Sequence, residues 1–285
     1  MSKLKLALIG YGDWAQKIEK YLLNNSKIQI IKIYTSKVGR DIFTNDMSEI
    51  ADDESIEAVI IASPPETHFH LSKFFLIKNK SVFCEKPLAH NMTQVRELDL
   101  LQRESQLKIF TDYTFLYSSD LIDKVNKIKL LKGSEIKVNI KMNFSQNGKF
   151  YSEHVYFTLT SHLLAILDEI IDIEKTKFVV ENEVFKDGFV VSTKIKFEYL
   201  NFSGNIESSL ISQSKIRTIE FSFDDTKIKY EPLSFNNLKS EDEKHNLSRV
   251  LNDFHNIVKN NLNDNFDKSF RITNVLTKII DSIKR

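Results

Sequence analysis

The chain has 285 residues, with 40 lysines and arginines against 39 acidic side chains and a formal net charge of +1, so it carries no broad basic field for nucleic acid or acidic polymers. Its length suffices for two domains that each bury a core, no apolar stretch is long enough to span a bilayer, and, since the sequence runs straight into a strand, we expect no signal peptide. A single cysteine excludes an intramolecular disulfide and fits a reducing cytoplasm, where we expect the protein to act.

Residues 4–9, Leu-Lys-Leu-Ala-Leu-Ile, form a short apolar run suited to a strand buried in a parallel sheet, and residues 13–24 follow with helical spacing. Between them lies Gly10-Tyr11-Gly12-Asp13-Trp14-Ala15. Gly10 permits a sharp bend, Gly12 lets backbone N–H groups approach a pyrophosphate, and Ala15 keeps helix and strand close, with the helix N-terminus facing the anion. An ordinary strand-to-helix turn is the bland alternative. Residues 28–34 make a second strand, after which a dinucleotide site expects a carboxylate for the adenosine ribose. Here the strand end reads Thr35-Ser36-Lys37, with Arg40 close by and no acid before Asp41. A hydroxyl followed by cations suits a 2′-phosphate, so NADP is favoured over NAD. Solvated loop charges are the competing explanation.

A third strand, residues 58–62, ends in Ser63-Pro64-Pro65-Glu66-Thr67-His68, where two prolines force an extended exit. A helix over 67–78 and a strand over 81–84 then lead to Cys84-Glu85-Lys86-Pro87. Since α/β sheets bind ligands at the carboxyl ends of their strands, Lys86 emerges where a nicotinamide ring would lie. Cys84 ends an apolar strand and reads as a small hydrophobe, not a nucleophile. His68 and His70 are the only histidines close in sequence, and a spacing of two sets them on different helix faces, so no metal site is expected.

The order Gly-x-Gly-x-x-Ala, Ser-Pro-Pro-x-x-x-His and Glu-Lys-Pro resembles the glucose-fructose oxidoreductase, inositol dehydrogenase and MocA (Gfo/Idh/MocA) family. The resemblance implies that Lys86 lies beside the nicotinamide and the substrate hydroxyl, moving a proton and polarising the oxygen, with Glu85 positioning the cofactor or the lysine. It makes Gly10, Tyr11, Gly12, Asp13, Trp14, Ala15, Ser36, Lys37, Arg40, Ser63, Pro64, His68 and Glu85 the cofactor-binding candidates. The segment Tyr113-Thr114-Phe115-Leu116-Tyr117-Ser118 resembles the family's exit from the Rossmann domain, in a form associated with surface-polysaccharide genes. Family members also carry an acid four residues before a histidine on the first helix of the second domain. His162 occupies the histidine position and Thr158 the acidic one, on one face of a helix expected over 154–171. His162 is then a second acid/base or orienting donor, or else a satisfied core histidine.

Beyond Gly133 strand-like runs dominate: 136–144, 177–185, 189–199, 205–211, 218–223 and 227–230, with a hairpin signal at Asp187-Gly188. We therefore expect an α/β Rossmann domain over 1–117, followed over 118–285 by a substrate-binding and oligomerisation α+β domain with a large open, mostly antiparallel sheet, and helices over 246–262 and 270–283 covering one face. Asn143, Gln146, Asn147 and Lys149 are candidate determinants of specificity. The resemblance implies a homo-oligomer, dimer or tetramer, formed through the bare sheet face, and an NADP- or NAD-dependent oxidoreductase acting on a sugar, nucleotide sugar or polyol, with a tilt toward surface glycan biosynthesis. Two alternatives stay open: a dinucleotide-binding sensor or partner subunit that has lost catalysis, supported by Thr158, and an interaction protein that binds no cofactor. No motif identifies the substrate.

Overall fold

Continuous runs of aliphatic residues build the first sheet, because each of its central strands is buried on both faces. In the run Ala58–Ile61 all four residues are buried, and in Leu4–Ile9 only Lys5 reaches solvent. The computed structural model describes residues 3–131, 134–145, 153–231 and 241–283. Within it the chain divides into two compact units, residues 1–114 with 243–270, and residues 115–242 with 271–285.

The first unit holds six parallel strands: β1 (Leu4–Ile9), β2 (Ile28–Tyr34), β3 (Phe43–Thr44), β4 (Ala58–Ile61), β5 (Ser81–Glu85) and β6 (Ile109–Asp112). Their order is β3-β2-β1-β4-β5-β6, so the chain leaves β1 to one side and returns to its other side. That reversal marks the switch point at which such sheets take a ligand. Helices α1 (Asp13–Leu22), α2 (Ser48–Ala51), α3 (His68–Ile77) and α4 (Met92–Ser105) connect the strands. On one face a buried cluster runs from Ile9, Val59 and Val82 to Phe75, Val95 and Leu98. On the other, Phe83 and Phe110 stack at 5.5 Å and meet Phe254 of a later helix, α7 (Glu241–Asn260), at 5.4 and 6.0 Å. The loop after α7 caps the edge strand β6: Asn265 accepts from Thr111 N–H and donates to Thr111 C=O, both at 2.8 Å, while Asp264 accepts from Ile109 N–H at 3.0 Å. Residues 243–270 thus belong to the first unit, whereas the single boundary after Tyr117 expected from sequence assigns them to the second. No change of composition marks that return.

The second unit contains helix α5 (Ser119–Lys129), strands β7 (Ile136–Ser145), β8 (Lys177–Lys186), β9 (Phe189–Tyr199), β10 (Phe202–Ser209), β11 (Ile211–Phe223) and β12 (Thr226–Tyr230), and helix α6 (Ser161–Leu167). The strands lie in the order β12-β11-β7-β10-β9-β8, antiparallel throughout except between β7 and β10. The Asp187-Gly188 hairpin forms as expected, with both residues at positive φ, the geometry that favours this pair. Alternation sends Ile136, Val138, Ile140, Ile195, Phe197 and Ile206 to the core face. The other face carries ion pairs, Lys141–Glu207 at 2.8 Å and Lys194–Glu181 at 2.9 Å among them. In place of one continuous helix over 154–171, a π-helical turn, Tyr156–Thr160, precedes α6. The last helix, α8 (Phe266–Ile283), joins this unit through Arg271, which forks onto the buried Asp168 carboxylate at 2.7 and 3.1 Å. Among the described residues no helix is long and apolar enough to cross a membrane. Gln146, Asn147 and Lys149 lie outside the described residues.

Candidate active site

The glycine turn sits where β1, β2 and β4 converge. Gly10 N–H reaches Tyr34 C=O at 3.1 Å, and Gly10 itself adopts φ +92°, with the oxygen of Ala62 2.8 Å from where a Cβ would stand. Only glycine tolerates both the conformation and that approach. Gly12 differs: a Cβ there would meet nothing within 4 Å, and no side chain caps the α1 N-terminus that begins beside it. Open space over uncapped helical N–H groups is what a pyrophosphate requires, so these residues fit the dinucleotide the sequence implies. Asp13 is exposed, Trp14 half-buried and Ala15 buried against the sheet.

At the end of β2, the Thr35 hydroxyl accepts from Lys37 N–H at 3.2 Å, fixing the turn, while Ser36 and Lys37 stay exposed. Arg40 is engaged more closely than its sequence context suggested. Its Nη2 donates to Glu19 Oε1 at 2.5 Å and its Nη1 to the Tyr11 hydroxyl at 3.0 Å, and that hydroxyl donates in turn to Glu19 Oε2. Burial of Glu19 on α1 opposes ionisation, but the bonds from Arg40 and Tyr11 outweigh it and hold the carboxyl below its usual range.

After β4, Ser63 Oγ and Thr67 Oγ1 lie 2.6 Å apart, and Thr67 Oγ1 donates to Pro64 C=O at 2.7 Å, so the two-proline exit is a defined turn. His68 is 1% exposed, with Nδ1 2.8 Å from Pro87 C=O and Nε2 2.9 Å from Ser63 C=O. Both ring nitrogens face carbonyls in the interior, so in place of the direct cofactor contact expected of it His68 ties together the loops that follow β4 and β5.

At the end of β5, Glu85 and the half-exposed Lys86 emerge, and the Lys86–Pro87 peptide is cis. Glu85 pairs in register with Asp112 at the end of β6. Glu85 Oε1 and Asp112 Oδ2 are both closed off from solvent without an ordinary hydrogen bond, while Asp112 Oδ1 accepts from the Thr114 hydroxyl. Burial, then the Asp112 charge, push the Glu85 carboxyl well above its usual range, against the opposing pull of Lys86 and the Trp14 N–H. Burial raises Asp112 as well, though bonds from Glu85 and Thr114 resist. Burial thus favours the protonated form of both acids, and the Asp112 charge adds to it at Glu85. Burial pushes the Cys84 thiol up, as befits an inert core residue.

In the second unit His154, Thr158 and His162 are the partly exposed positions on an otherwise buried stretch, at spacings of four. The Thr158 hydroxyl is turned back onto its own helix, 3.5 Å from His154 C=O and 3.4 Å from Val155 C=O. The His162 ring meets Phe115 edge-on at 4.9 Å, and the Arg217 guanidinium lies over both Phe115 and Phe144 at 4.8 and 4.7 Å. His154 Nδ1 accepts from Val190 N–H at 3.0 Å, which assigns its hydrogen to Nε2. Asn143 Oδ1 is buried without a hydrogen-bond partner. Glu19, Asp112 and His154 escaped the sequence reading. Only His154 had a usable signal, its spacing of four from Thr158; the other two depend on tertiary pairing.

Residues 4–113 match the model of the Gfo/Idh/MocA family, described as an oxidoreductase family with an NAD-binding Rossmann fold. An uncharacterised oxidoreductase of Escherichia coli, YgjR, is 22% identical over 74% of this chain and 71% of its own length. Among solved structures, a putative myo-inositol dehydrogenase from Sinorhizobium meliloti superposes with a TM-score of 0.83 at 13% identity, covering 99% of this chain and 98% of that one. A mutant of KijD10, a 3-ketoreductase from Actinomadura kijaniata in complex with TDP-benzene and NADP, gives a TM-score of 0.79 at 11% identity, with 98% of each chain covered.

Proposed function

We propose that the chain is an oxidoreductase of the Gfo/Idh/MocA family that transfers a hydride between a nicotinamide cofactor, NADP in preference to NAD, and a hydroxyl or carbonyl carbon of a sugar, nucleotide sugar or polyol. One observation carries the reading: the glycine turn, the cationic end of β2 and Lys86 all open at the carboxyl ends of one parallel sheet. A bound dinucleotide supplies the hydride acceptor or donor. The remaining work falls to the chain. Gly10, Gly12 and the α1 N-terminus hold the pyrophosphate, and Ser36, Lys37 and Arg40 take the adenosine end. Lys86 gives or takes the proton at the substrate oxygen, a requirement of any alcohol–carbonyl interconversion. Burial disfavours full ionisation of the Glu85–Asp112 pair, which keeps the neighbouring ammonium from being over-stabilised by anions. His162 serves as the second acid/base or orienting donor. NADP and a TDP compound bound in a fold relative support a nucleotide sugar within this range, and the 113–118 segment supports a role in surface glycan biosynthesis. We further propose that the protein self-associates through the charged face of its second sheet.

A second reading, a cofactor-binding protein without turnover, rests on Thr158, which stands where the family carries an acid and offers His162 no carboxylate. Titration of intrinsic fluorescence with NADPH, followed by turnover assays across a panel of sugars, polyols and nucleotide sugars, separates the two. Binding with no turnover on any of them, by wild type and Lys86→Ala alike, would favour the second.

A further inference from the structure

Glu19 is an unusual residue for its place. The inner face of α1 is otherwise lined by Ala15, Ile18 and Leu22, yet Glu19 is 8% exposed among them. A carboxylate buried on a sheet-facing helix is unfavourable unless its oxygens are satisfied by charged or hydroxyl donors. Both are. Arg40 binds Oε1 and Tyr11 binds Oε2, and Arg40 closes the ring by donating to the Tyr11 oxygen.

Aromatic contacts fix the same group from its flat sides. The Arg40 guanidinium lies 4.8 Å over the Phe43 ring, Tyr11 meets Phe43 edge-on at 5.0 Å, and Lys37 Nζ lies 4.9 Å over the Tyr11 ring. Tyr11 belongs to the glycine turn and Arg40 to the end of the β2 loop, so this network joins the phosphate cradle to the adenosine end. The Arg40 side chain is nevertheless 42% exposed. A guanidinium has five N–H donors in a rigid fork, and the bonds to Glu19 and Tyr11 use two. The rest are available to an anion arriving from solvent, and the rotamer freedom an exposed arginine normally loses on binding has already been removed.

We propose that Glu19 is the residue that determines cofactor preference here, acting as a positioning residue that holds Arg40 ready for the 2′-phosphate of NADP. The proposal rests on the NADP preference advanced above. Glu19 opposes an anion by its charge and favours it by orienting the fork. The orienting effect prevails, because the carboxylate meets one edge of the guanidinium and leaves its other donors to the phosphate.

The test is the ratio of NADPH to NADH dissociation constants, read by fluorescence titration at moderate salt, for wild type, Glu19→Ala, Glu19→Gln and Arg40→Ala. Glu19→Ala is expected to weaken NADPH roughly tenfold and to leave NADH within about threefold. Glu19→Gln, which keeps an acceptor for Arg40 without the charge, should retain most of the preference. A general packing defect would weaken both cofactors together and leave the ratio unmoved, which would overturn the proposal, as would tighter NADPH binding in both Glu19 variants. Loss of the ratio in Arg40→Ala alone, with both Glu19 variants like wild type, would keep the NADP reading and remove Glu19 from it. A wild type with no preference would remove that reading itself.

Discussion

Glu85 and Asp112 stand opposite each other at the ends of adjacent parallel strands, two buried acids whose carboxyls are both held above their usual range by burial. A carboxyl whose folded-state pKa is raised binds protons more tightly when folded, so stability is lost as pH rises from the unfolded value near 4 through the raised one. Glu85→Gln imitates the protonated acid. Its melting temperature should be close to wild type at pH 5 and exceed it increasingly toward pH 8, by about 2–4 °C for each kcal/mol relieved. Thermal unfolding at both pH values checks this; a difference independent of pH would mean that the pair is fully ionised.

The two turn glycines separate fold from ligand. Gly10→Ala forces φ +92° on a residue with a Cβ and drives that atom against the Ala62 backbone, a cost of at least about 1–2 kcal/mol for the left-handed conformation. Gly12→Ala meets no protein atom within 4 Å and has φ −77°. Its stability should stay within about 0.5 kcal/mol of wild type, while dinucleotide affinity drops tenfold or more. Calorimetry and cofactor titration of the two variants together decide the point, and unaltered binding by Gly12→Ala would exclude a pyrophosphate from this turn.

Lys86→Ala should lower kcat by about 10²- to 10⁴-fold, the usual contribution of a proton-transfer group, with cofactor affinity changed only a few-fold. Near wild-type kcat in the variant would remove the lysine from the chemistry.

Thr158→Asp would place a carboxylate one turn from His162 on the open stripe of its helix. An anion at that range stabilises imidazolium, so His162 would need a higher pH to become neutral, and the acidic limb of the kcat/KM profile should move upward. Superimposable profiles would show that His162 is not the titrating group.

Much of this fold is legible along the chain because its determinants are local. The apolar run of β1, the glycines and prolines that end strands, and the Asp187-Gly188 turn each act over a few residues, and they define the parallel sheet, the hairpin and the order of the candidate site. Features made by pairing distant segments are not legible in that way. Asp112 gains meaning only from its register with Glu85, and Glu19 only because the β2 loop folds back on α1. The π turn at Tyr156–Thr160 has no distinct residue signature; what survives it is the spacing of four that keeps Thr158 and His162 together. His68 misled for a related reason: its place in the Ser-Pro-Pro-x-x-x-His run is correct, but burial sends its ring inward to two carbonyls.

The loop after α7 gives the first sheet a border made of side chains. By donating to and accepting from Thr111, Asn265 imitates one residue of a neighbouring strand, and Asp264 occupies the next free amide. β6 is an edge, and an exposed edge invites pairing with another chain. The segment that seals it, together with the Phe254 that covers Phe83 and Phe110, leaves the ribosome only after all six strands have been synthesised. Until then a nascent chain displays both an open edge and an aromatic face. Between synthesis of β6 and of Asn265 that edge and that face lack the groups that cover them, and truncation before residue 243 would leave them uncovered permanently.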